Sequence, residues 1–370
     1  MTGPDSIPTT PRRPWWKLAV QYGLTILVVV VVFGFVIPKL ADYEKVLEVI
    51  GNINALEWLI LGLLAAFFLV GYALVLVAVM PSLRFREALV VQTTATAINN
   101  SIPAGGAFSL PLQFAMYLSW GFAPEAVTAG FVAAGIFDQM ARLGLPVFAV
   151  TGIALIGAAA GWMWMAAIVG IGVVVGLAVV IALVFRSEEF ARRVARGLGR
   201  PINAVLTRLH RDPVDAEGTV LRFRANAIGI VTRRWRAVVA ATLANNLAMV
   251  GLFLASVRAV GIGESEIPWP WIVLAFSLGR LLVMIPISPG GLGLVDLGYI
   301  GLLTLGWQTT NPAATPDADL IAAGVLLFRA LSYLPPIPVG LASWVFWRSN
   351  SSWHQDWRTA DRGQAGAMSS

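Results

Sequence analysis

Long apolar runs alternate with short polar breaks along almost the whole chain. Leu18–Ile37 is an unbroken apolar run of twenty residues, and further runs lie at about 56–80, 124–157, 161–185, 237–260, 269–287 and 320–347. About twenty apolar residues cross the hydrocarbon core of a bilayer, so the pattern predicts membrane helices. The run at 124–157 reads either as one long helix or as a pair kinked around Gly144-Leu145-Pro146. Two apolar regions are broken from within. Ala88–Ile98 and Phe108–Trp120 flank Asn99-Asn100-Ser101-Ile102-Pro103-Ala104-Gly105-Gly106, and Trp271–Ile285 and Leu297–Trp307 flank Pro286-Ile287-Ser288-Pro289-Gly290-Gly291-Leu292-Gly293-Leu294-Val295-Asp296. Each break reads either as a tight turn between two spans or as a re-entrant hairpin. Backbone that leaves the helix at membrane depth has to sit in protein or line a wet cavity. Transporters use such broken helices to bring bare backbone groups to a substrate.

The polar residues set an orientation. Positions 186–236 hold twelve arginines against five acidic residues, and Arg192, Arg193, Arg196 and Arg200 fall on one helical face. Such a loop belongs on the cytoplasmic side, as an amphipathic helix on anionic headgroups. Its lack of interleaved aromatics speaks against nucleic acid. The basic N-terminus (Arg12, Arg13, Lys17) is also expected inside. Both expectations hold if 89–120 enters and leaves on the same face, and the C-terminus then ends inside too. The chain thus divides into a disordered basic tail (1–17), a first membrane half (18–185), the basic loop (186–236), a second membrane half (237–347) and a disordered tail (348–370). Ala41–Asn54 reads as a short external helix.

Composition agrees with the pattern. Hydrophobic residues make up 58% of the 370 and charged residues 12%, too few to cover a soluble fold. There is no cysteine, and His210 and His354 stand in no ligand spacing, so no metal site, cofactor or cysteine nucleophile is expected.

The two breaks are related. Ile102-Pro103-Ala104-Gly105-Gly106 and Ile287-Ser288-Pro289-Gly290-Gly291 share isoleucine, proline and paired glycines. Downstream, Ala133-Ala134-Gly135 matches Ala322-Ala323-Gly324 and Pro146 matches Pro335, with Arg142 and Arg329 between them, shifted by two positions. The expected architecture is therefore an all-α, polytopic helical membrane protein with two interrupted, re-entrant hairpins in an inverted repeat.

Five ionisable residues lie inside apolar segments: Asp138, Arg142, Arg280, Asp296 and Arg329. Each costs about 2.5–3.5 kcal/mol at a helix centre on insertion scales, so each needs a partner or a wet cavity. Asp138 and Arg142 are four apart and suit each other as a pair. Arg280 either snorkels to an interface or joins the site. Arg329 is the foremost candidate for a functional cation, suited to a phosphate beside half-helix N-termini. Asp296 is either its counter-ion or a proton carrier. Asn100, Gly105, Gly106, Gln113, Ser288, Gly290 and Gly291 complete the candidate substrate-binding set.

The stretch Ser288–Asp296, followed by Phe328-Arg329 and Tyr333-Leu334-Pro335-Pro336, resembles the membrane domain of lysylphosphatidylglycerol synthase/flippase proteins. Ile102–Gly106 is similar to that family's first glycine motif. The resemblance spans about 18–347. It departs at Phe108–Gln113, where family members carry a glutamate and an arginine, and at Asp296, where they carry glutamate. What it implies is a lipid translocator for a phospholipid or lipid-linked anionic headgroup, with no catalytic residues. The alternatives are a non-catalytic scaffold or accessory subunit partnering an envelope-biosynthesis enzyme, and a membrane transferase.

Overall fold

The computed structural model describes residues 43–102, 105–157, 161–208, 215–283 and 291–350. Every helix and strand assignment among them is helical, as the apolar pattern predicts. The run Leu18–Ile37, the N-terminal tail, most of the C-terminal tail, and the candidates Ser288 and Gly290 lie outside the described residues.

Helix α1 (Tyr43–Gly51) precedes α2 (Ala55–Val79). The start of α2 is fixed by a reciprocal cap: the Asn54 side chain accepts the Glu57 N–H at 2.9 Å, and the Glu57 carboxylate accepts the Asn54 N–H at 3.0 Å. The first break separates α3 (Phe85–Ser101) from α4 (Gly106–Ser119). At 1.5 Å per residue these are roughly 26 and 21 Å long, shorter than a core of about 30 Å. Their outer ends come together, since Pro81 and Ser82 share a hollow with Phe122 and Ala123. At the tip, a Cβ on Gly105 would stand 2.6 Å from the Ile98 carbonyl oxygen. Only glycine allows α4 to begin this close to α3. Ser109 Oγ then donates to Asn99 Oδ1 at 3.0 Å and ties the two arms.

Helix α5 (Pro124–Leu155) runs on through Pro146, so the run at 124–157 forms a single helix as far as Leu155. Helix α6 (Gly161–Arg186) follows, then the amphipathic α7 (Glu188–Arg208). On α7, Arg192 donates to Glu188 at 2.7 Å and holds that carboxylate below its ordinary range. The boundary expected at 236/237 falls inside a helix, close to where the candidate span Arg234–Ala259 begins. Helix α8 (Ala216–Ala259) is continuous across it, because no proline interrupts those 44 residues. At about 66 Å, α8 is twice the length needed to cross a bilayer and carries its basic first half beyond the apolar part.

The second break separates α9 (Trp269–Leu282) from α10 (Leu294–Thr310). These arms face each other at glycines, with Gly279 against Tyr299 and Gly306 against Trp271. Asn311 Nδ2 closes the outer ends by donating to the Ser265 carbonyl at 2.8 Å. The run 320–347 is two helices, α11 (Ala318–Tyr333) and α12 (Pro336–Ser349), since Pro335 and Pro336 supply no N–H to continue the ladder. Among the described residues, five stretches are long and apolar enough to cross a membrane: Ala55–Val79, Pro124–Leu155, Ala167–Arg186, Arg234–Ala259 and Ala318–Ser349.

Lipid tails are as apolar as leucine, so these helices associate through close packing of small residues. Three antiparallel seams do this. Helix α2 runs against α8, with Gly71 on Asn245 and Leu64 beside Gly251. Helix α3 runs against α12, with Gly340 on the Thr93 backbone and Thr93 Oγ1 bonded to Ser343 Oγ at 2.9 Å. Helix α5 runs against α9, with Gly152 on Pro270. All three seams join the halves; in the second and third, one hairpin's first arm meets a helix that comes after the other hairpin. An aromatic group formed by Phe253, Phe276, Tyr299 and Phe328 centres the core of the second half, with Phe253 4.8 Å from Tyr299 and 4.9 Å from Phe328 between ring centres.

Candidate functional site

The seams converge on a cavity of about 170 Å³. Four of the expected site residues line it, each from a different helix: Asn100 from the end of α3, Arg142 from α5, Arg280 from α9 and Arg329 from α11. Thr96, Tyr299 and Tyr333 add polar groups to the wall.

Helical spacing explains the placement. Arg142 lies one turn after Asp138, and its Nε donates to that carboxylate at 2.7 Å. The same carboxylate stands 3.8 Å from Arg280, so one acid serves two guanidiniums. Arg280 Nη1 also donates to Asn246 Oδ1 at 2.8 Å, and Asn246 Nδ2 donates to the Thr242 carbonyl at 2.9 Å and to Asp138 at 3.5 Å. Arg280 therefore does not snorkel to an interface. Its charge is held inside, 5.8 Å from the centre of the Phe276 ring.

Arg329 is held separately. Its Nε donates to Asp296, which is fully buried, and its guanidinium stands 5.5 Å from the centre of the Tyr299 ring. The other oxygen of Asp296 accepts the Gly293 N–H at 2.9 Å, at the start of α10. This is why the glycines precede the acid. Gly291 and Gly293 have φ of +77° and +89°, a left-handed conformation that side chains resist, and it lets the chain turn into α10 with its first donors toward Asp296. Asp296 is thus the counter-ion of Arg329 and a cap of its own helix. Across the cavity, Asn100 Nδ2 donates to the Tyr333 carbonyl at 3.2 Å, and the Tyr333 hydroxyl donates back to the Asn100 carbonyl. The tip of the first hairpin is thereby fastened to the helix that carries Arg329.

Among the described residues three guanidiniums meet two carboxylates here, which leaves one excess positive charge at the cavity. Arg142 is the most open of the three, with 27% of its side chain exposed against 11% for Arg280 and for Arg329. An arginine presents five donors in a planar fork suited to a phosphate or a carboxylate. Among the described residues no group of three metal-ligating side chains occurs.

Not every expected residue joins the site. Gln113 is half-buried on α4 and does not line the cavity. Gly106 is exposed with open space where a side chain would go, and Gly105 acts only at the α3–α4 turn. Gly291 shapes the turn into α10. Sequence reasoning missed Asn246, Tyr299 and Tyr333. Each had a signal: Asn245-Asn246 is an amide pair inside an apolar span, Tyr299 is three residues after Asp296, and Tyr333 is four after Arg329.

No curated protein matches the chain. Residues 20–340 match the family model described as the lysylphosphatidylglycerol synthase TM region. That range takes in both hairpins and every residue of the arginine cavity, and the chain belongs to this family of membrane domains.

Proposed function

We propose that this chain is a lipid translocator that holds a phosphate-bearing headgroup at the arginine cavity while the hydrocarbon chains stay in the bilayer. The observation that carries the reading is the convergence of Arg142, Arg280 and Arg329 with, among the described residues, two carboxylates to balance them. Burying charge in an apolar body is costly, and a purely structural arrangement would be expected to balance its acids and bases. An excess guanidinium suits an anion that arrives and leaves.

In this reading both hairpins are re-entrant, entering from opposite faces as an inverted repeat, and their tips meet at the headgroup. The two hairpin seams give such a device a way to move. Opening on one face would loosen α3 from α12, and opening on the other would loosen α5 from α9. The basic face of α7 rests on anionic lipid at the cytoplasmic surface, and both termini lie on that side. The reading assigns no catalytic residue and no cofactor.

The test is reconstitution into liposomes containing a fluorescent phosphatidylglycerol that is quenched chemically from outside. Wild type is expected to move the probe faster than empty liposomes, and Arg142→Gln, at the most open arginine, to cut that rate about tenfold or more. A folded wild type that moves no anionic lipid, or an Arg142→Gln variant with the wild-type rate, would overturn the reading.

A further inference from the structure

The arginines on the basic face of α7 already hold acids of the chain itself. Glu217, in the first turn of α8, uses both carboxylate oxygens: Arg192 donates to one at 3.1 Å, and Arg196 Nε stands 3.8 Å from the other. The two arginines are four apart, so they make two prongs one helical turn apart on the same face. Arg192 also donates to Glu188 at 2.7 Å, and Arg193 pairs with Glu189, but those two acids belong to α7. Glu217 ties α7 to α8. Its own turn is capped by Asp215, which accepts the Gly218 N–H at 2.8 Å.

The basic half of α8 is fastened elsewhere by bonds of another kind. Arg224 donates to the Val184 and Phe185 carbonyls, at 3.0 and 3.2 Å, in the last turn of α6. Arg234 donates to the Val77 carbonyl at 3.3 Å, in the last turn of α2. Carbonyls at a helix end have no partner within the helix, so these bonds hold whatever lipid lies nearby.

The bridge to α7 is different because water reaches it. The side chains of Arg192, Arg196 and Glu217 are 45%, 57% and 35% exposed. Beneath them, α7 buries the small residues Ala191, Ala195 and Gly199. Exposed ion pairs add little stability and are screened by salt. An anionic leaflet attracts every arginine near it, and a guanidinium fork takes a phosphate as readily as a carboxylate. Four arginines facing such a surface, Arg192, Arg193, Arg196 and Arg200, outweigh two exposed pairs to one acid.

We propose that Glu217 is an internal stand-in for an anionic headgroup, and that Arg192 and Arg196 exchange it for lipid phosphates when the membrane surface beside α7 is anionic, releasing α7 from α8. The inference rests on the placement of α7 against lipid in the proposed function, and it adds control of the arginine cavity by the charge of the membrane. Helix α8 runs from Glu217 to Asn246, which bonds Arg280, so latch and cavity share one element. A closed latch restrains the first turn of that helix, and an open one frees it.

The chain has no cysteine, so two introduced thiols are the only ones to carry spin labels. Gly197→Cys on α7 and Ala225→Cys on α8 suit, since both positions are exposed and a Cβ at Gly197 meets nothing within 4 Å. The full chain is placed in nanodiscs, and the distance between labels is measured by double electron–electron resonance. In phosphatidylcholine a single short distance is expected, and with phosphatidylglycerol mixed in, a longer and broader distribution. Glu217→Gln should give the long distribution in both lipids. Glu188→Gln, which removes an acid of α7 alone, should behave as the parent does. The parent comparison needs no charge substitution, and the same distribution in both lipids would overturn the inference. So would a closed latch in Glu217→Gln on neutral discs, an equal effect from Glu188→Gln, or opening by soluble phosphate in neutral discs. In liposomes, translocation by wild type should rise at least threefold with anionic lipid, and Glu217→Gln should be fast in both. An open latch with an unchanged rate would overturn the control of the cavity. If α7 opens as expected in a protein that moves no lipid, the latch stands and translocation fails. If lipid moves but α7 never opens, the latch fails and translocation stands.

Discussion

Where α3 gives way to α4 the polar groups are neutral: Asn99 bonds Ser109, and Asn100 exchanges hydrogen bonds with Tyr333. Where α9 gives way to α10 they are charged, with Arg280 near Asp138 and Asp296 bound to Arg329. The surroundings differ as well. Helix α9 is buried along most of its length, whereas α4 buries Ser109, Met116 and Tyr117 and leaves Phe108 and Leu110 exposed. Two hairpins of like shape therefore do different work. Glycine at the turn makes the shape, and the charges decide which hairpin carries the chemistry. On the proposed function, the first hairpin positions and the second binds.

That contrast is tested first at Asp296. Removing one member of a buried ion pair leaves an uncompensated charge, which typically costs about 3–5 kcal/mol. Asp296→Ala should therefore lower thermal stability in detergent more than any single change in α3 or α4, and it also removes the acceptor for the Gly293 N–H. An Asp296→Ala protein as stable as wild type would mean that Arg329 finds its compensation elsewhere.

The two hairpin seams come next. A Cβ on Gly340 would stand 2.1 Å from the Thr93 carbonyl oxygen, an atom that cannot rotate away. Gly340→Ala should destabilise by about 1–3 kcal/mol, the usual range for overpacking. At the other seam, a Cβ on Gly152 meets the Pro270 ring at 3.0 Å. Gly152→Ala should cost less, and equal losses at the two sites would contradict the difference in seam rigidity. Unfolding curves of the two variants side by side settle the order.

The smallest effect is expected at the neutral tip. Asn100→Ala removes one side-chain bond to the Tyr333 carbonyl, and such bonds in membrane proteins average about 0.6 kcal/mol. A loss of several kcal/mol would show that the first hairpin bears more than a positioning role.

Much of this was legible in the sequence because membrane constraints act locally. Apolar runs gave the helices, and Gly-Gly-Leu-Gly before Asp296 marked the turn whose left-handed glycines the structure contains. Buried charge is so costly that Asp138, Arg142, Arg280, Asp296 and Arg329 announced themselves, and all five belong to the site or its ion pairs. Partnership was less legible, since it depends on which helices touch. That Asp138 faces both Arg142 and Arg280, or that Asn246 bonds Arg280, follows from seams between residues far apart in the chain. The matched triplets Ala133-Ala134-Gly135 and Ala322-Ala323-Gly324 show the same limit. A Cβ on Gly324 would stand 3.1 Å from the Val257 backbone, while Gly135 has open space around it. Identical words in the sequence meet different neighbours in the fold. The unbroken length of α8 was hidden for another reason: composition changes sharply near 236, but helical backbone continues wherever no residue stops it.

If the arginine cavity holds a lipid phosphate, as proposed, native mass spectrometry of the purified chain with added phosphatidylglycerol will detect it. Wild type is predicted to retain one phosphatidylglycerol molecule at an activation energy that strips diacylglycerol, and Arg280→Gln or Arg142→Gln to lose that preference while unfolding cooperatively. Equal retention of the phosphate-bearing and phosphate-free lipids by wild type, or an unchanged preference in both variants, would contradict it.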